Sequence, residues 1–122
     1  MARLKENEAR ERRIEMETVV DAYNSEERAM GWYYYLEERL KFPFRARCKF
    51  MREVSPLRVL EEVEVLGMAP EAECESEMFV RVLWCDFRLA VLLSQLEPLA
   101  VGPRTKEAVA DWHYWAGRGY KF

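Results

Sequence analysis

Four glutamates stand at alternate positions of one short segment, Glu71-Ala72-Glu73-Cys74-Glu75-Ser76-Glu77. In an extended chain a period of two puts all four on one side. In a helical turn Glu71 stacks on Glu75 and Glu73 on Glu77 instead. Either way like charges crowd together, and a bound cation relieves the repulsion. A flexible glutamate loop suits calcium, which takes about six to eight oxygens from carboxylates, carbonyls and water at about 2.3–2.6 Å in loose geometry. Magnesium, with its stricter octahedron and retained waters, fits less well. The EF-hand pattern of alternating Asp or Asn, a glycine and a terminal Glu is absent. The plainer reading is a solvated acidic loop, since short acidic runs are common on surfaces.

Three further groupings bear on chemistry. Glu37 and Glu38 fall near the end of an aromatic-rich segment that reads as helix, where a carboxylate opposes the helix dipole. Arg39, Lys41 or a metal would offset them, and Glu38 stands close to where the chain enters its β region. Cys48, Cys74, Cys85 and His113 supply the atoms of a Cys3His zinc site, but no two of them share a ligand-pair spacing. His113 has no motif-defined nucleophile or carboxylate partner, so it reads as a packed helix residue and not as a base. Arg45, Arg47, Lys49 and Arg52 make a basic strand face, which Glu62 and Glu64 of the next strand are placed to neutralise. No Gly-rich phosphate loop, nucleophile elbow or zincin motif is present, and no enzyme is expected.

The elements that must position these residues follow from periodicity. Residues 3–22 read as a helix with a polar start, fraying over its first dozen residues, supported by Glu6/Arg10 and Glu8/Arg12 pairs. Its apolar stripe is Met16, Val19, Val20 and Tyr23. Asn24 with Glu27 three residues on marks an N-cap. The helix that follows, about 25–41, carries Ala29, Tyr33, Leu36 and Leu40 on one face, and its other aromatics ask for cover on more than one side. Pro43 ends it. The period then changes to two: Phe44, Ala46, Cys48 and Phe50 alternate with basic residues. Further strands are expected at 62–67, 78–84, 89–93 and 98–101, with a turn at Asp86–Arg88 and a tight turn at Ser94–Leu96. Gly102-Pro103 leads into a helix at about 104–116, with Gly117 placed as its stop.

Five short strands are too few for a sandwich, and closure would remove exposed edges. The expectation is one α+β domain: a helical arm at 1–41, a small SH3-like five-stranded barrel at 42–101 and a C-terminal helix at 104–117. Its 122 residues suit one domain, and an apolar share of 50% can form a core. The net charge of −3 argues against a dedicated nucleic-acid binder. Three cysteines, none closely spaced, make a poor disulfide framework and suit a reducing compartment. The N-terminal residues show no apolar signal-peptide core, and the run Leu89–Leu93 is too short to span a bilayer. A cytoplasmic protein without a membrane partner is expected.

Longer blocks carry a resemblance. Met-Gly-Trp-Tyr-Tyr-Tyr-Leu-Glu-Glu at 30–38 runs into Phe-Pro-Phe at 42–44. Glu-Val-Glu-Val-Leu-Gly-Met-Ala-Pro-Glu at 62–71, Cys-Glu-Ser-Glu-Met-Phe-Val at 74–80 and Leu-Ala-Val-Leu-Leu-Ser-Gln-Leu-Glu-Pro-Leu at 89–99 follow. Asp-Trp-His-Tyr-Trp at 111–115 and Gly-Tyr-Lys-Phe at 119–122 close the chain. From about residue 14 onward the sequence resembles the small bacterial calcium-binding family CcbP. The resemblance implies a cytosolic protein that binds Ca2+ through carboxylates and buffers or regulates calcium signalling. By position, Glu38 and Glu71, Glu73, Glu75 and Glu77 stand where the family is acidic. The chain departs from that pattern in its basic strand, and 19 Lys and Arg against 22 acids weaken long-range attraction for a cation. The alternative is an SH3-like interaction module that binds a protein or RNA partner without metal.

Overall fold

The computed structural model describes residues 7–120 and 122. In chain order its helices and strands are α1 (Glu8–Glu17), α2 (Ser25–Arg39), β1 (Phe44–Cys48), β2 (Glu62–Met68), β3 (Phe79–Trp84), β4 (Phe87–Leu92), β5 (Leu96–Leu99) and α3 (Pro103–Gly117). Two 3-10 turns, at Glu71–Cys74 and Leu93–Gln95, complete the list. The α+β class stands. No described helix is long and apolar enough to cross a membrane.

All strand pairs are antiparallel, in the order β4-β3-β2-β1-β5. Closure into the expected barrel is not seen in this ladder: β4 and β5 are the two edges and do not pair. The 3-10 turn at Leu93–Gln95 carries the chain from one edge to the other. β5 is only four residues long and contains Pro98, which has no N–H to offer a further strand. The two-residue turn between β3 and β4 falls at Cys85–Asp86, both with positive φ (48° and 67°), so β4 starts at Phe87 and not after Arg88. Likewise β5 ends at Leu99, because Ala100 has φ of 52°.

The helices stack their aromatic faces together. Trp32 is fully buried, and its ring meets Tyr35 at 5.6 Å, Trp112 at 5.1 Å and Trp115 at 5.6 Å between centroids. Edge-to-face pairs of this kind add to the apolar area they bury. Asn24 caps α2 as expected, its side chain accepting from the Glu27 amide at 2.8 Å. Ala29, Trp32, Tyr33, Tyr35, Leu36 and Leu40 are all buried, so α2 is covered on more than one side, while Tyr34 is exposed. Gly31 is where α1's end meets α2. A Cβ there would lie 2.3 Å from the Thr18 carbonyl oxygen, so the glycine that weakens the helix permits this approach.

α1 is attached differently from expectation. Its described residues are held to the body by polar groups. The buried Asp111 accepts from Arg10 at 2.6 Å, from Arg13 at 2.7 and 3.0 Å and from the Tyr35 hydroxyl at 2.6 Å. The Tyr114 hydroxyl accepts from the Asn7 amide at 2.9 Å. Ile14 is the buried apolar residue of α1. Met16, Val20 and Tyr23 of the expected stripe are exposed, because the helix stops at Glu17 before those positions can share one face. Arg10 turns to Asp111, and Glu6 lies outside the described residues. At the other end α3 runs through Gly117, and Gly119, with φ of 80°, is the left-handed residue after it.

Candidate metal centre

The acidic segment is not extended. Pro70 introduces a 3-10 turn over Glu71–Cys74, and Glu75 continues in helical geometry. Cys74, fully buried, anchors it: its sulfur lies 3.4 Å from the Phe79 amide and 3.6 Å from the Phe79 carbonyl. Burying position 74 forces its neighbours outward. The tight turn then distributes the glutamates around itself instead of lining them up on one side.

Glu71 and Glu75 share a cleft of about 490 Å³ with Glu26, Ser25, Ala29 and Met30 of α2. Glu75 and Glu77 border a second cleft, on the side of α3. Tyr34 donates its hydroxyl proton to Glu71 at 2.6 Å. That hydrogen bond, then the Glu71 charge, some desolvation and the Glu37 charge, holds the Tyr34 phenol above its ordinary range. The Glu37 charge also contributes to raising the Tyr33 phenol, after burial of that group.

Two of the carboxylates already face internal cations. Glu77 accepts from Arg52 at 3.1 Å, and Glu38 pairs with Arg104 of α3 at 3.6 Å. Glu38 therefore points to α3's start, and Glu71, Glu73, Glu75 and Glu77 do not converge with it. Among the described residues no three His, Cys, Asp or Glu side chains are grouped so as to hold a metal ion. Nothing in the sequence marks Glu26, because the dipole alone explains an acid in the first turn of a helix.

The other groupings resolve plainly. Arg45 and Arg47 both reach Glu62, at 3.5 and 4.0 Å, so the basic strand is partly neutralised by its neighbour as the alternation suggested. Cys48 and Cys74 are buried and Cys85 is exposed. His113 donates from Nε2 to the Leu93 carbonyl at 3.2 Å, and its Nδ1 faces the Lys49 ammonium at 3.4 Å. Burial first, then Lys49, lowers its pKa to about 4.

The exposed side-chain ligand atoms of the 71–77 turn are oxygens, with the Cys74 sulfur buried, and this is the chemistry of a hard cation. A model of the CcbP family, described as calcium binding, matches residues 12–116. The chain belongs to the CcbP calcium-binding family. Two solved structures agree along the whole length. Anabaena CcbP is 48% identical, covers 100% of both chains and superposes with a TM-score of 0.88. A structure of a calcium binding protein in its calcium-binding form is also 48% identical over 100% of both chains, with a TM-score of 0.85. Among curated proteins nothing matches. CcbP is a family of calcium binding and not of enzymes, and the metal-free interaction module is not favoured.

Proposed function

We propose that this CcbP-family protein binds Ca2+ through the carboxylates of the 71–77 turn and works as a cytosolic calcium buffer or regulator. The observation that carries the reading is the shared cleft of Glu71 and Glu75 with Glu26. The three carboxylates border one space without being grouped around an ion, so Ca2+ would draw them together, with backbone carbonyls and water completing the shell. Glu73 and Glu77 add negative potential at the rim. Glu38 is a second locus. Its side chain is 73% exposed, and its ion pair with the exposed Arg104 is of the weak surface kind that a divalent ion displaces.

Calorimetric titration of Ca2+ into the protein tests this. Wild type is expected to bind in the range of about 10⁻⁷–10⁻³ M. Glu71→Gln combined with Glu75→Gln should abolish the main binding phase, and Glu38→Gln should remove a weaker one. Absence of heat together with absence of thermal stabilisation at millimolar Ca2+ would sink the proposal.

A further inference from the structure

The second cleft, beyond the turn from the one assigned to calcium, has a different chemistry. It encloses about 580 Å³, within the range of small-molecule sites. Four aromatic residues, Trp112, Trp115, Tyr120 and Phe122, contribute to its lining, and Glu75 and Glu77 contribute carboxylates. The rings are held by one another. Trp115 and Tyr120 meet at 4.9 Å with an interplanar angle of 62°, and Trp112 and Phe122 at 5.9 Å with 30°. The Tyr120 hydroxyl is bonded to Glu11, and Arg28 donates to the Phe122 carbonyl, so both of these residues are tied to the helices.

We propose that this cleft is a binding site for a small organic cation of the alkylammonium class. A calcium ion gains nothing from aromatic walls, because it must keep oxygen ligands. An alkylammonium ion gains from both walls at once. Its methyl and methylene groups pack on the rings, its positive charge is attracted by the ring quadrupoles, and nearby carboxylates add Coulomb attraction. The Arg118 guanidinium already lies 5.5 Å from the centre of Tyr120, so the ligand is left the other rings of the cluster. Glu77 is shared with Arg52 at 3.1 Å, whereas Glu75 carries no ion pair among the described residues, so Glu75 supplies the charge. Glu75 borders both clefts, so calcium bound by it would neutralise the charge this one uses, and the test is made without calcium.

Choline is a suitable probe, with 3,3-dimethylbutanol as its uncharged isostere. Tryptophan fluorescence and indole N–H chemical shifts are followed during titration of the whole protein at constant ionic strength with a calcium chelator. Saturable choline binding is expected, with the isostere weaker by about tenfold, since the charge is what the rings and Glu75 recognise. Glu75→Gln and Trp115→Leu should each weaken choline by about threefold or more, and the Gln variant should leave the isostere unchanged. Should Trp115→Leu fail to fold, the exposed Glu75→Gln and the isostere comparison decide alone. Equal binding of choline and isostere, no saturation, or unchanged choline binding in Glu75→Gln overturns the proposal. Because calcium is absent, none of these outcomes depends on the calcium site.

Discussion

The Tyr34 hydroxyl donates to Glu71 at 2.6 Å, joining the exposed face of α2 to the acidic turn. The bond makes the phenol a reporter on the carboxylate. Glu71 holds Tyr34 above the ordinary tyrosine value of 10.0, chiefly by accepting its proton in a hydrogen bond and then by its charge. Ca2+ on Glu71 would neutralise that charge and compete for the oxygen. Ionisation of one tyrosine, followed at 295 nm, is therefore expected at lower pH when Ca2+ is present. Tyr34→Phe should remove the main part of the shift, leaving only the smaller response of Tyr33, which also feels the Glu71 charge. An identical titration with and without Ca2+ would place the ion elsewhere.

Arg52 competes with any cation for Glu77. Both side chains are partly exposed, and pairs of this kind are worth about 0.2–1 kcal/mol. Arg52→Gln should tighten Ca2+ binding by a factor of about 1.5 to 5, the same energy expressed as an equilibrium ratio. The gain should shrink in high salt, where exposed charges are screened. Calorimetry at two ionic strengths checks both statements.

Asp111 is the polar keystone of the helical layer. It is fully buried and gathers Arg10, Arg13 and Tyr35. Asp111→Ala leaves two guanidinium groups without their acceptor and opens a space beneath α1. Breaking a buried ion pair typically costs about 3–5 kcal/mol. Because the two arginine side chains keep 25% exposure and can turn to water, a loss near the lower end, about 3 kcal/mol, is expected. Urea unfolding should show it, and limited proteolysis should cut α1 first.

His113 sets a pH dependence. Its folded pKa of about 4 lies below the ordinary 6.5, because burial and Lys49 disfavour the imidazolium. Between those values the unfolded chain binds the proton and the folded chain does not, so stability rises with pH across that window and falls on acidification. The contribution is about 3 kcal/mol at pH 7 relative to pH 4. His113→Gln, which keeps a donor for the Leu93 carbonyl, should flatten this part of the stability profile. A profile as steep as wild type would assign the slope to other groups.

Much of the fold was legible from residue order. Asn24, Pro43 and the alternation of Phe44, Ala46 and Cys48 marked where α2 starts, where it stops and which face of β1 is buried. These are short-range signals: a cap bonds three residues on, and a strand's period is two. The misplaced parts have long-range causes. The anchoring of α1 is invisible to local periodicity because Asp111 lies 101 residues from Arg10. The two-residue turn at Cys85–Asp86 lacks the glycine that usually announces positive φ.

The candidate site divides the same way. The crowding of Glu71, Glu73, Glu75 and Glu77, the oxygen-only donor chemistry and the family likeness follow from residue types and order alone. Which partner each carboxylate meets does not. Glu77 meets Arg52 across 25 residues and Glu71 meets Tyr34 across 37, while Glu26 joins Glu71 and Glu75 only because α2 lies against the turn. Side-chain chemistry is a property of the sequence, but charge compensation depends on distances through space, and those are decided by the packing of α2, α3 and the sheet around Trp32.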